Sequence, residues 1–320
     1  MNQDGAEVES TRALTTEIRR KAQELGFAGL GVARAESLTE EGRKLQDWLS
    51  RGFHATMGWM EANIEKRVDP RLVLPEAKSV ISLAMNYYVA VPHRDDRSVG
   101  KISRYAWGDD YHDVLISRIQ SLVECIKSLR PDVKAKVYVD TGPVMDKAWA
   151  VRAGVGWLGK HTNVITKEYG SWVFLGEILL NLELEYDQPI GDFCGSCRAC
   201  IDACPTGAIV DEYLLDSNRC ISYLTIEHRG EFSGELASKF ENWIYGCDIC
   251  QDVCPWNRFQ QPTSEAGFFP RPGNVAPKLG ELAKMISSEF SRRFHQSPIK
   301  RTKHRGFVRN VKAVLRAERD

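Results

Sequence analysis

Four cysteines crowd into the stretch CGSCRACIDACPTGAI, at Cys194, Cys197, Cys200 and Cys204, and a proline closes the run. A shortened echo, CDICQDVCP, carries Cys247, Cys250 and Cys254, and Cys220 stands alone between the two. A cubic iron–sulfur cluster draws several thiolates from one tight loop, while the last cysteine of the run reaches toward another metal. By that rule Cys194, Cys197 and Cys200 take Cys254 as fourth ligand of one [4Fe–4S] cluster. Cys204, Cys220, Cys247 and Cys250 then hold the second, and no thiolate of the region is left over. Paired CxxC units also build structural Cys₄ zinc sites, but those rarely use a triple CxxCxxC followed by xxxCP. The ninth cysteine, Cys125, lies beside an apolar helical stripe and reads as a small core residue.

Two clusters in series conduct electrons but do not by themselves transform a substrate, so residues 1–190 need a purpose. The composition is that of a globular protein, 43% hydrophobic and 27% charged, with enough sequence for a sizeable core. Lys plus Arg equals Asp plus Glu at 43 each, so the whole chain has no bias toward nucleic acid. From Ser291 onward, however, ten Lys/Arg face two acids. The opening MNQDGAEVES lacks the apolar core of a signal peptide, and no run of about 18 apolar residues could span a membrane. A cytoplasmic, reducing setting is expected, which favours metal ligation over disulfides.

The elements that must carry this chemistry follow from periodicity. Helices are expected after Ser10 up to Gly26, over 39–51, from Asp110 to Leu129, and near Met145–Ala153. Strands are expected at AGLGVA, SVISLAMNYY, AKVYV, NVIT and SWVFLGEILL. This predicts an α/β or α+β domain over 1–190. A ferredoxin-like unit with two clusters follows over 191–258, and a basic helical segment over 259–320. GVGWLG, from Gly154 to Gly159, spells a dinucleotide fingerprint, but it follows a helix rather than a strand, so the context is reversed. DYH at 110–112 begins like a cobalt-ligating DxHxxG signature, yet Leu115 stands where the glycine belongs. His112 reads as a capping or core histidine.

Several stretches together carry a resemblance: SRYAWGDDYH, VDTGPVMDKAWAVRAGVGWLGKHTNVIT, FLGEILLN, CISYLTIE and YGCDICQDVCPWN. They resemble the epoxyqueuosine reductases, cobalamin-dependent iron–sulfur enzymes that reduce the epoxide of epoxyqueuosine in tRNA to queuosine. The resemblance spans roughly 10–315. Many members of that family continue past the region similar to IKRTKHRGFVRNVKAVL into a helical-repeat tail that contacts tRNA, so it implies a short form.

The resemblance implies a division of labour. Opening an epoxide by reduction needs two electrons and a proton; the clusters would deliver single electrons, the corrin the carbon chemistry, and the protein the proton. The general acid falls on Asp140, which must stay protonated near neutral pH, as burial beneath an apolar macrocycle favours. Taken from the sequence alone, Asp140 reads rather as an Asx-turn aspartate before Gly-Pro; the acid role is what the resemblance implies. Corrin contacts fall on Asn63, Ser103, Asp140, Val164, Leu175, Ser222 and Val253. Without a histidine ligand the cobalamin is expected base-off. Contacts to tRNA fall on Lys147 and Arg229, with the tail from Arg292 to Arg316, interrupted by Phe294 and Phe307, offering charge for phosphates. An unidentified electron donor completes the scheme, and a monomer is the default. The competing readings are a related corrinoid reductase of a small molecule, such as a reductive dehalogenase, and a ferredoxin-type carrier without chemistry of its own.

Overall fold

The structure is a computed structural model describing residues 3–317, with side chains described from residue 9. Its first helix, α1 (Gln3–Glu24), starts several residues before the expected Ser10, because no proline stands between Gln3 and Ser10 to stop it. Leu14, Ile18 and Ala22 recur every four residues along it and are buried as one stripe. β1 (Gly29–Arg34) follows, then a helix over Thr39–Ser50 and β2 (Ser79–Asn86). α2 (Tyr111–Leu129) is opened by Asp110, whose carboxylate accepts from the His112 backbone amide. Leu115, Ile119, Leu122 and Ile126 on its inner face are fully buried, each worth about 1.5–3 kcal/mol of transfer free energy. β3 (Ala135–Tyr138), α3 (Asp146–Arg152) and β4 (Val173–Leu180) complete the N-terminal part.

The sheet runs in the order β1-β2-β4-β3 and every pairing is antiparallel. That makes the fold α+β. All eight residues of β2 are buried, because α1 and α2 cover one face of the sheet while α3, Leu38 and Val73 pack on the other. Burial from both sides explains why the strand reads as a continuous apolar run rather than an alternation.

α3 ends on Gly154 (φ 69°), whose left-handed backbone closes the helix. The GxGxxG letters therefore cap a helix and lead into a small hairpin, Trp157–Leu158 against Val164–Ile165. The two cysteine motifs fold alike: short helices Ala199–Asp202 and Ile249–Asp252 occupy equivalent positions and pack together. α4 (Ile221–Ile226) follows Cys220. The last helix, α5 (Lys303–Ala317), is preceded by short 3₁₀ and α turns, so the segment 259–320 is helical in several pieces. It shares a second core with Ile102, Trp107, Leu224, Phe240 and Trp243, so this core draws on all three expected segments. Cys125 is half-buried on α2.

Candidate active site and cluster loops

The eight clustered thiols form two crowded groups that meet where Cys200 approaches Cys250. Burial pushes the Cys200 thiol up to about 11, with Cys254, Cys194 and Cys197 close enough to add repulsion. Burial likewise raises Cys254, whose neighbours include Cys194 and Cys197. Cys250 is raised by burial and then by Cys220, Cys200 and Cys204; Cys247 by burial, Cys250 and Cys220. The thiols raised in this way stay protonated until a metal takes up the charge, so loading the loops releases protons. Among the described residues no three His, Cys, Asp or Glu side chains converge as ligands of a single ion would. The thiols are grouped more loosely than that.

The second cysteine loop is locked in place by a buried carboxylate. Asp248 is fully buried and accepts from the Arg104 backbone amide at 2.9 Å, the Arg104 guanidinium at 3.1 Å and the Ser103 hydroxyl. His93 Nε2 lies 3.1 Å from the same carboxylate. Gly246 has φ 66°, and a Cβ there would meet Ser103 Cβ at 2.5 Å. On the other side of the loop, the Gly246 amide donates to Thr225 Oγ1 at 2.9 Å. α5 fastens this corner: Asn310 Nδ2 donates to the carbonyls of Thr225 and Ile244, at 2.7 and 2.9 Å.

Between this loop and the sheet lies a cavity of about 410 Å³. Cys204, Cys220, Cys247 and Cys250 border one side; Val164, Phe174, Leu175, Ile209, Leu215 and Ile249 supply apolar wall; Asp140, Asp146, Tyr111 and His161 supply polar groups. Of the positions expected around a corrin, Ser103, Asp140, Val164, Leu175 and Ser222 line this cavity. Asn63 and Val253 are not among its lining residues; Asn63 is exposed in a left-handed turn (φ 57°) and Val253 is 38% exposed. Asp140 is exposed and also left-handed, at φ 52°.

Four residues that sequence reasoning passed over stand at or beside this cavity. Tyr111 donates to Asp140 Oδ2 at 2.7 Å and stacks on Phe174 with rings 4.4 Å apart. Burial first, and then Asp140, hold its phenol far above the usual range, so it remains a donor. Buried His161 accepts at Nδ1 from the Asn163 amide at 3.2 Å, which leaves its Nε2 as the donor, and that atom has no partner. Burial, with Lys147 adding, pulls His161 down to about 4, so the imidazole is neutral. Asp146 opens α3 at the cavity wall, and Glu177 lies fully buried in β4 behind it. A signal for Glu177 was present in the sequence: one acid inside the apolar run SWVFLGEILL.

The residues expected at RNA are both exposed. Lys147 lines the cavity, donating to the Thr162 carbonyl at 2.9 Å and to Asn163 Oδ1 at 3.1 Å. Arg229 donates to the carbonyls of Ile226 and Arg301. In the C-terminal tail, Phe294 and Phe307 are fully buried. They are core residues that interrupt the charged tail by packing inward. Arg309 is spent on the carbonyls of His228, Gly230 and Leu224, and Arg301 on Glu227. Arg292, Lys300, Lys303, Arg305, Lys312 and Arg316 are exposed. Among the described residues no helix is long and apolar enough to cross a membrane.

Comparison with known proteins bears on both halves. Residues 67–141 match the family described as epoxyqueuosine reductase QueG, DUF1730, and residues 193–257 match the 4Fe-4S double cluster binding domain. The region therefore holds two iron–sulfur clusters, not zinc. An epoxyqueuosine reductase of Cellulophaga algicola is 45% identical over 92% of this chain and 95% of its own length. That of Escherichia coli is 40% identical over 94% and 80%. The crystal structure of a selenomethionine-labelled epoxyqueuosine reductase superposes with a TM-score of 0.90 at 37% identity, covering 95% of this chain and 82% of the other. An epoxyqueuosine reductase solved with an epoxyqueuosine-modified tRNA-Tyr stem loop gives the same TM-score and identity over 96% and 82%. With the cluster domain and part of the preceding sheet matched, and relatives of 40–45% identity covered over 80–95% of their own length, the chain belongs to the epoxyqueuosine reductase family.

Proposed function

We propose that this chain is an oxidoreductase that reduces the epoxide of epoxyqueuosine, at the wobble position of tRNA, to queuosine. The observation that carries the reading is the cavity itself, with four cluster-loop thiols along one side and Asp140, held by Tyr111, on another. In the ligand set we propose, Cys194, Cys197, Cys200 and Cys254 hold one [4Fe–4S] cluster, and Cys204, Cys220, Cys247 and Cys250 the second.

Cobalamin suits the remaining space. The wall is broad and apolar, and the buried Nε2 of His161 points to a polar group that the chain alone does not supply. Ser103, Asp140, Val164, Leu175 and Ser222 would border a base-off corrin, with Asn63 and Val253 reaching it only from outside the present lining. When bound, the corrin supplies a low-valent cobalt able to reduce carbon, recharged one electron at a time from the clusters. The chain's own work is to exclude water along the apolar wall, to orient the Asp140 carboxyl through Tyr111, and to give the epoxide oxygen a proton from Asp140.

The substrate nucleoside must leave the anticodon stack to reach this depth. Exposed Lys147 at the cavity and Arg229 near α5 would exchange their carbonyl partners for its phosphates, with Lys300, Lys303 and Arg305 extending the positive face. Such an enzyme works in the cytoplasm beside its tRNA and needs a low-potential electron donor. The same cavity disfavours a pure carrier, which has no use for a carboxyl facing a cluster loop. The basic face disfavours a small-molecule reductase.

The test is anaerobic purification, cobalamin reconstitution, metal and corrin quantification, and turnover of epoxyqueuosine-containing tRNA read by nucleoside mass spectrometry. About eight irons, one retained corrin and loss of one oxygen from the nucleoside are expected. Eight irons with no corrin would reduce the chain to a carrier.

A further inference from the structure

Removing an epoxide oxygen as water breaks two C–O bonds, forms one C=C π bond and two O–H bonds, and so consumes two electrons and two protons. The electrons come singly from the low-potential donor through the clusters. Asp140, however, holds one proton at a time, and the reaction asks for two. Two carboxyls beside it have no part in the scheme so far.

Asp146 lines the same cavity as Asp140, six residues on, at the first turn of α3. Glu177 is fully buried in the inner strand β4, paired with Ser82 on one side and Tyr138 on the other. Tyr138 is two residues before Asp140, and Leu175, one pleat along β4 on the same face as Glu177, lines the cavity. α3 packs on β4. Glu177 therefore sits one strand step behind the cavity wall. Its Oε1 has only a long 3.4 Å contact from the Ser82 hydroxyl, and its Oε2 has no partner. A carboxylate so placed, with no cation bonded to it, is costly, whereas the neutral acid is tolerated.

We propose that Asp146, backed by Glu177, stores the second proton of the reaction and passes it to Asp140 between the two protonation events, a role that rests on the function proposed above. The charged groups facing Asp146 fit this. Burial raises it to about 6, with Asp140 adding and Lys147 opposing; Arg67 also feels its charge. Burial lifts Glu177 well above the usual range, with Asp146 and Asp140 adding and Ser82 opposing. Asp146 thus carries a proton for part of the time near neutral pH, and Glu177 keeps a second negative charge from forming behind it. After each turnover the carboxylates refill from solvent through exposed Asp140. Asp146 acts through Asp140, as a positioning residue for the proton.

The test uses holoenzyme and an epoxyqueuosine-containing anticodon hairpin in single turnover from pH 6 to 8.5. Asp146→Asn cannot store a proton; it is expected to be about 100-fold slower near pH 6, the gap narrowing toward pH 8.5 as the wild-type carboxyl empties, with the low-pH rate restored in proportion to added imidazolium. Asp146→Glu is expected near the wild-type rate. Infrared difference spectra give a readout that needs no turnover: a neutral carboxyl band at pH 7 that shrinks in Asp146→Asn and in Glu177→Gln. An Asp146→Asn enzyme at wild-type rate across the range, or a loss that imidazolium does not restore, overturns the proposal, as does a wild-type spectrum with no neutral carboxyl. Wild-type enzyme that leaves the hairpin unreduced would instead sink the proposed function itself.

Discussion

The Tyr111 hydroxyl donates to Asp140 Oδ2 across 2.7 Å, tying the first turn of α2 to the loop after β3. Stacking on Phe174 fixes the phenol, and burial keeps it protonated. Asp140 sits at φ 52°, a conformation that Asp and Asn tolerate better than most residues. Asp140→Asn therefore preserves the backbone and removes only the acid. It is expected to abolish epoxide reduction with iron and corrin content unchanged.

Tyr111→Phe separates orientation from acidity. A typical hydrogen bond contributes about 0.5–1.5 kcal/mol, so turnover should fall roughly 2- to 10-fold. Stopped-flow reduction of the cofactors should be unaffected. Equal loss in cofactor reduction and in turnover would mean that Tyr111 supports the fold rather than the carboxyl.

The interleaved ligand sets can be separated by counting iron in paired cysteine variants. If Cys197 and Cys254 serve one cluster, Cys197→Ala with Cys254→Ala leaves about four of eight irons. Cys197→Ala with Cys204→Ala then strikes both clusters and leaves almost none. A purely local arrangement, with Cys204 completing the first run, predicts the opposite order.

Legibility followed the range of each signal. The cysteine spacing is local, so the two clusters could be read directly, and burial on both faces made β2 and β4 plain as apolar runs. GVGWLG was correctly set aside because a glycine after a helix stops it. What sequence could not reveal was distance: that Tyr111 reaches Asp140, separated by 29 residues, or that Asp248 is gripped by Ser103 and Arg104 from 145 and 144 residues away. Nor could it show where Phe294 and Phe307 point: they interrupt the basic tail in sequence, and the fold turns them inward to meet each other, 5.0 Å apart.

Gly31 in β1 faces the end of α3. A Cβ there would stand 1.9 Å from the Ala153 carbonyl oxygen, and neither backbone can yield without moving the helix that begins at Asp146. Gly31→Ala is expected to destabilise the protein by about 1–3 kcal/mol, read from thermal unfolding. It should also slow turnover in the molecules that remain folded. Full activity at reduced stability would show that α3 is free to shift without disturbing the cavity.

Glu177 makes stability depend on pH in a direction opposite to most acids. Its folded form holds a proton well above the ordinary range because burial disfavours the charge, whereas the unfolded chain releases that proton near about 4.3. Folding therefore takes up a proton at neutral pH, and stability is lost as pH rises from the unfolded value toward the raised folded one. Glu177→Gln keeps the volume and an oxygen for the Ser82 hydroxyl but has no proton to lose. Its melting temperature should match wild type near pH 4.5 and exceed it by a few degrees at pH 8.5, the gap widening steadily between. A constant offset across that range would mean that the substitution changed packing alone and that Glu177 does not titrate on folding.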